Sequence, residues 1–489
     1  MKDFWRRVWG DLRWRAALCL AVVTGFRLWF CTYHELVPDE AYYWLWSKHL
    51  DMGYYSKGPA VAWTIAAGTG LWGDTVFGIR FFSVLLSAGT GWLVFDLARR
   101  LFDGRVGWWV LVGVGTLPIF AVGSVLMTID PLSVFFWVCA AHGLWRGVAG
   151  EGLRHWVWAG FAVGCGFLAK QINALQLVCG VGWLLADRER RRWFMRPHFW
   201  AMVGVAGVCM LPVFVWNAQH GWITAQHLHE RAALTEGWKM RPGEFFQFLV
   251  QQALVISPGY FVLMLVAWGG WVWRWWVQRQ SGGQAEPFCA WMAWPVFALY
   301  AGLAWNEAGE ANWTVTMLPT GMLLAVVWWR ERWGSRVARG WIYGAVGVAV
   351  VMTVMVHETA WLRLKPRLDP LVRARGWRSL VDQVDEVRRA YPQAILIGNK
   401  YQTVSILSFY LPDRPRVYQP KVGRVVNQLS LWGDYDETRV TEALFVTDAL
   451  DGLPEPLQGQ FREWREVARL RPAAPWEGLR VWRVIYMKR

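Results

Sequence analysis

Apolar residues run along the chain in long blocks, broken by short charged clusters, as far as residue 357. A helix needs about 20 apolar residues to cross the hydrocarbon core of a bilayer. By that measure the blocks predict spans near 15–34, 76–97, 106–124, 131–149, 156–172, 174–186, 199–216, 246–273, 288–305, 312–329 and 341–357. Region 59–73 is also apolar, but its glycines and flanking loops predict a helix near the interface. After His357 the pattern turns polar, charged and proline-punctuated. Leu380, Val381, Val384 and Val387 share one helical face, predicting a helix over 377–391. A strand follows at 394–397, a helix at 401–411, and further strands at 443–447 and 479–486. The expected architecture is a polytopic α-helical membrane protein with about 11 transmembrane helices in residues 1–357. Residues 358–489 form a small C-terminal α/β domain.

Composition sharpens this picture. The chain is 55% hydrophobic and 18% charged, against about 25% charged in soluble domains. That excludes a disordered chain, a collagen-like chain and an ordinary soluble enzyme. A net charge of +15 elsewhere suggests nucleic acid. Here the positive residues fill short loops between apolar blocks, so topology explains them and no nucleic-acid partner is expected. One set of loops carries 21 Lys and Arg, among them Arg99, Arg100, Arg188, Arg190, Arg191 and Arg192. The alternate set carries six: Lys48, Lys57, Lys170, Arg231, Lys239 and Arg241. The bias places the N-terminus in the cytoplasm and, with an odd number of spans, the C-terminal domain outside. The 40 Trp suit membrane interfaces. Seven Cys lie in or beside apolar blocks without a CxxC, against a disulfide scaffold or a Cys-ligated zinc. The basic N-terminus runs into an apolar stretch with no small-residue cleavage site, so it reads as a retained first span.

Polar residues that carry chemistry concentrate in the outer loops of this map. Asp39-Glu40 is an adjacent acidic pair just past the first span. One carboxylate there suits a general base on a hydroxyl, its neighbour a metal or a substrate contact; a solvated turn is the alternative. Lys170 closes the apolar run 161–169, where a charge is costly unless it snorkels or meets an anion such as a lipid phosphate. Lys57, between Tyr and Gly-Pro, suits the same phosphate, and two cations would stabilise its departure. Asp130, before Pro131, is either a helix N-cap or a ligand that joins Asp39, Glu40 or His220 at a hard metal ion. Arg80 suits headgroup anchoring or a substrate phosphate. Glu310 and Asn312, with Trp313, form either a polar lid or a cap on the tenth span. Together these residues outline an outer-face cavity for an anionic lipid.

At these residues the sequence resembles the GT-C superfamily of polyprenyl-phosphate-sugar glycosyltransferases. It is most similar to the bacterial branch related to protein O-mannosyltransferases and to lipid A aminoarabinose and galacturonic acid transferases. The stretches that carry the resemblance are Pro38-Asp39-Glu40-Ala41-Tyr42-Tyr43, Tyr54-Tyr55-Ser56-Lys57-Gly58-Pro59 and Leu126-Met127-Thr128-Ile129-Asp130. Leu168-Ala169-Lys170, Trp216-Asn217-Ala218-Gln219-His220-Gly221-Trp222 and Glu310-Ala311-Asn312-Trp313 also carry it. It runs from about residue 15 to 330, and the tail resembles the outer domain of the bacterial branch at Leu407-Ser408-Phe409-Tyr410-Leu411-Pro412 and Leu431-Trp432-Gly433. The resemblance implies that Asp39 is the base on an acceptor hydroxyl and that Lys57 and Lys170 touch the donor phosphate. It implies that Asp130 shapes the donor site and that His220 joins a metal site. Related transferases often place an acid just before the first-loop Lys, where this chain has Ser56, so a divalent metal that uses that acid lacks it here. The implied activity is an inner-membrane glycosyltransferase taking sugar from undecaprenyl phosphate to a hydroxyl of lipid A, a glycolipid, a glycan or a protein. It needs no organic cofactor, and a single displacement would invert the anomeric centre. The alternative from another class is a flippase for a lipid-linked anion, which would need no base. No pair of matching broken spans points that way.

Overall fold

The computed structural model describes all residues except 1–9, 233–236, 278–282, 366–367, 370, 422, 434, 450–452 and 473–480. The chain packs into two compact units. The first joins Met1–Trp29, Lys57–Val61 and Phe81–His357; the second joins Phe30–Ser56, Ala62–Arg80 and Glu358–Arg489.

The first unit is helical. Helix Ile129–Val148 packs along Leu153–Ala169, which packs in turn on Pro197–Gln219. The second approach is close because Gly160 has no side chain: a Cβ there would lie 2.2 Å from the Met202 carbonyl oxygen. Large indoles fill the interior, with Trp137, Trp156, Trp183 and Trp268 buried. Trp200, Val208, Leu211, Trp341 and Val351 stay exposed, as expected where the surroundings are lipid. Among the described residues, four helices are long and apolar enough to cross a membrane: Val76–Leu101, Pro197–Gln219, Ala311–Arg330 and Arg336–Met355. The other predicted spans also form helices, but shorter or less uniformly apolar ones.

The span expected at 246–273 is two helices, Pro242–Ile256 and Pro258–Val277, bent by 111°. Pro258 has no N–H to continue the ladder, and Ser257 turns the chain at φ +90°. Counted as one span, the pair makes a fifth candidate. The block at 106–124 divides for the same reason at Pro118, into Gly104–Gly115 and Pro118–Gly123.

The second unit holds a four-stranded sheet of β1 (Ile395–Gly398), β2 (Glu442–Thr447), β3 (Glu463–Leu470) and β4 (Trp482–Lys488), in the order β1-β2-β4-β3. β1 and β2 run parallel, and the other pairs are antiparallel. Helices Trp377–Arg389 and Tyr401–Tyr410 form where the pattern predicts them. Of the strand expected at 479–486, residues 479–480 lie outside the described residues, Val481 precedes the strand, and 482–486 enter β4. β3 was not predicted. It is an edge strand with a bulge between Glu466 and Ala468, and its charged residues erase the alternation that marks a half-buried strand. Helix Pro38–Ser47 belongs to this unit, with Trp44 edge-on to Phe409 at 5.0 Å and Tyr42 against Tyr401 at 4.6 Å.

Candidate functional site

In the second unit, Pro38 opens the helix Pro38–Ser47 and sets Asp39 and Glu40 in its first turn, where the helix dipole favours carboxylates. The two acids meet different fates. Glu40 is fully buried and accepts from Arg80 Nε at 2.8 Å and Arg80 Nη2 at 2.6 Å. Arg80 also donates to the carbonyls of Cys31, His34 and Glu35 at 2.7, 2.9 and 2.8 Å. A guanidinium has five N–H donors, so Arg80 has none left for a phosphate, and the expected phosphate role does not fit this geometry. Glu40 is likewise committed to holding the loop.

Asp39 is half-buried, and its Oδ1 accepts from the Tyr401 hydroxyl at 3.0 Å. Among the described residues its other oxygen carries no partner, which leaves a lone pair for an incoming hydroxyl. The surrounding loop is fastened residue by residue. Leu36 N donates to Tyr410 Oη at 2.8 Å, Gln428 N to Tyr42 Oη at 2.8 Å, and Tyr55 N to Gln428 Oε1 at 2.7 Å. Glu35 accepts from the Trp377 amide at 2.6 Å at the start of helix Trp377–Arg389. Burial raises the Glu35 pKa above the ordinary carboxylate value, although the Trp377 and Arg378 amides oppose it.

In the first unit, three elements converge. Thr128, not Asp130, caps helix Ile129–Val148, its hydroxyl accepting from Asp130 N. The Asp130 carboxylate is thereby free to face inward. Lys170 ends helix Leu153–Ala169 in an extended conformation and is 8% exposed. Its Nζ donates to Asp130 Oδ1 at 2.8 Å and to the Asn312 carbonyl at 3.1 Å. Asn312 Nδ2 donates to Asp130 Oδ2 at 2.5 Å. An ammonium has three donors, so one N–H of Lys170 remains among the described residues. The cluster therefore pairs a buried cation with its counter-charge and keeps one donor in reserve. Beside it lies a cavity of about 450 Å³ whose walls are apolar (Leu20, Val23, Leu111, Ile119, Phe120, Val134) and whose polar lining includes Asp130 and Asn312.

Lys57 joins this unit through Gly58, where a Cβ would lie 2.1 Å from the Leu168 carbonyl oxygen. Only glycine permits that approach, and it sets the Lys57 backbone beside the end of the helix that carries Lys170. His227, on helix Ile223–Arg231, is a residue the sequence reading missed. Burial, then Lys57, then Arg231 lower its pKa to about 4, so it is neutral at pH 7. Its only sequence signal is the clustering of His227, His229 and Arg231 in a short polar helix.

Two expected residues stand apart from this cluster. His220 is exposed, its ring stacked on Trp216 at 4.0 Å and its Nδ1 within 2.8 Å of the Trp216 carbonyl. Glu310 pairs with Arg231 at 2.8 Å on the surface. Among the described residues no three His, Cys, Asp or Glu side chains are arranged to hold a metal. The three candidate ligands do not suit one as they stand: Glu40 is held by Arg80, Asp130 by Lys170 and Asn312, and His220 by its own helix end.

Comparison with known proteins gives this geometry a context. Residues 56–216 match the dolichyl-phosphate-mannose-protein mannosyltransferase family. Over 317 residues the chain is 32% identical to the lipid A galacturonosyltransferase RgtD of Rhizobium johnstonii, covering 63% of this chain and 64% of that one. It is 29% identical over 206 residues to an undecaprenyl phosphate-alpha-4-amino-4-deoxy-L-arabinose arabinosyl transferase of Edwardsiella ictaluri, covering 37% and 36%. The chain thus aligns with less than two thirds of these relatives' own lengths. Its fold matches the crystal structure of ArnT from Cupriavidus metallidurans in the apo state, with a TM-score of 0.64 at 19% identity over 96% of this chain and 97% of ArnT. ArnT is also known bound to undecaprenyl phosphate, and that structure superposes with a TM-score of 0.63. The architecture is an ArnT-like GT-C fold, mostly helical, with four to five apolar candidate spans and a small C-terminal sheet.

Proposed function

We propose that the chain is an integral-membrane glycosyltransferase that moves a sugar from a polyprenyl phosphate, undecaprenyl phosphate in bacteria, to an acceptor hydroxyl. Lipid A is the acceptor favoured by the likeness to the lipid A galacturonosyltransferase RgtD, with another glycolipid, a glycan or a protein as further members of the class. The observation that carries the reading is the apolar cavity whose polar lining includes Arg27, Asp130 and Asn312, the last two of which hold Lys170. An amphiphile with a long hydrocarbon tail and an anionic head suits those two chemistries side by side.

In this mechanism Asp39 takes the proton of the acceptor hydroxyl through its unpaired oxygen, while Tyr401 holds the other. The hydroxyl attacks the anomeric carbon, and the polyprenyl phosphate leaves from the opposite face, inverting the centre. Lys57 and Lys170 stabilise the charge that grows on the departing phosphate. Asp130 and Asn312 keep Lys170 positioned until the donor arrives. The proposed setting is the inner membrane, with about 11 crossings in residues 1–357, a cytoplasmic N-terminus and residues 358–489 in the periplasm. No step requires a metal.

The test is a purified protein in proteoliposomes with a labelled lipid-linked sugar and lipid A. Appearance of the label on lipid A supports the transferase. Movement of the donor between leaflets without transfer supports a flippase and removes this proposal.

A further inference from the structure

The second unit holds another cavity, of about 330 Å³, in the size range of small-molecule sites. It is formed by helix Pro38–Ser47 and its continuation through His49 on one side, and by segments 408–419 and 429–433 on the other. Its chemistry is neither apolar nor acidic. Trp432 faces His49 at 4.6 Å between ring centres, and Arg416 lies 5.1 Å from the ring centre of Tyr418.

Several donors here are unspent. Arg416 uses Nη2 on the carbonyls of Trp432 and Gly433, at 3.2 and 2.8 Å. Its Nε and Nη1, the Trp432 indole N–H, both His49 ring nitrogens and the Ser408 hydroxyl have no hydrogen-bond partner among the described residues. Lys48 and Arg414 share one carboxylate, Asp74, at 2.5 and 3.2 Å, so with Arg416 the rim carries an excess of positive charge among the described residues. Burial, then Arg416, lowers the His49 pKa, leaving a neutral ring able to donate and accept. Arg414 is also one of the few non-glycine residues with positive φ, at +48°. Strain of that kind persists only where surrounding interactions enforce it and gathers at ligand sites. Here Asp74, the Trp44 ring and the Phe409 ring enforce it.

We propose that this pocket binds an anionic sugar, the ring resting on the Trp432 face, its carboxylate or phosphate on Arg416, and its hydroxyls on Ser408 and His49. The assignment rests on the transferase reading only for the source of that sugar. Two sources present the same chemistry: a uronic acid delivered by the donor, or a phosphorylated saccharide head of the acceptor.

The experiment is ligand-observed NMR on the full chain in nanodiscs, with galacturonic acid, glucosamine 1-phosphate and uncharged galactose as probes. At least one anionic sugar is expected to bind at least tenfold more tightly than galactose. Arg416→Gln and Trp432→Ala should each weaken that binding tenfold or more at unchanged melting temperature. Arg416→Lys, which keeps the charge, serves if Arg416→Gln fails to fold, and it should lose less. Preference for galacturonic acid assigns the donor as source, preference for glucosamine 1-phosphate the acceptor. Equal binding of galactose, no binding at all, or binding unmoved in folded variants overturns the proposal. Selective binding by a protein that transfers nothing in proteoliposomes would leave the pocket standing and remove the transferase.

Discussion

Adjacent acids of the same charge do different work in this chain because their partners differ. Glu40 faces a guanidinium with every donor spent, whereas Asp39 shares one oxygen with Tyr401 and keeps the other. Asp39→Asn is therefore expected to lower kcat by roughly 10²–10⁴, the range for loss of a general base, with donor binding by calorimetry unchanged. Transfer at the wild-type rate would take the base role from Asp39. Arg80→Met strands a buried carboxylate and should destabilise by about 3–5 kcal/mol, read as a large drop in melting temperature. Retained stability with weaker donor affinity would instead return Arg80 to the phosphate. Lys170→Ala should weaken donor binding, since the cluster then loses its only ammonium. The sequence showed which of these residues carry charge, and the cost of a cation beside an apolar run singled out Lys170. It was silent on pairing: nothing in the spacing of residues 40 and 80 says that one consumes the other, or that Tyr401 reaches Asp39. Such partners are set by the tertiary fold.

At the level of single elements, local rules recovered most helices because apolar blocks and prolines act over short distances. They failed where one residue interrupts a block. Ser257 takes φ +90° and buries a hydroxyl without a partner among the described residues, so Ser257→Gly relieves two penalties at once. It should stabilise the protein by about 1–3 kcal/mol, measured by thermal unfolding in detergent. A loss of stability would show that the bend depends on the serine. Gly58 poses the opposite problem. Gly58→Ala drives a Cβ into the Leu168 carbonyl, so donor affinity should fall with it, as for Lys57→Ala. Helix Ile223–Arg231 brings a pH dependence. His227 has a folded pKa of about 4, below the ordinary 6.5, so its neutral state contributes stability above pH 6.5 that is lost as pH falls towards 4. The melting temperature should drop across that window, and His227→Gln should flatten the drop; an unchanged slope would remove His227 as its source.

For the molecule as a whole, hydropathy and charge conveyed membrane character, and the motifs conveyed the likeness that the family match over residues 56–216 also shows. What they did not convey is that the segments 30–56 and 62–80 group with residues 358–489 rather than with the helices that flank them. A linear reading divides the chain where composition changes, whereas packing follows hydrogen bonds between residues hundreds of positions apart. Among the described residues no three His, Cys, Asp or Glu side chains are arranged around an ion. Transfer activity is accordingly expected to survive EDTA at full rate, and a loss restored by added divalent cation would show that Asp130 or His220 rearranges when substrate binds.

The hydrogen bonds of Glu35, Leu36, Asp39 and Tyr55 to residues beyond 376 have a consequence for biosynthesis. The segment bearing Asp39 leaves the ribosome early, yet its fastenings are made last, after more than three hundred further residues have been translated. Until then the proposed base has no fixed address. A nascent or prematurely terminated chain could enter the bilayer and still be chemically silent, so catalytic competence would be licensed by completion of the polypeptide itself.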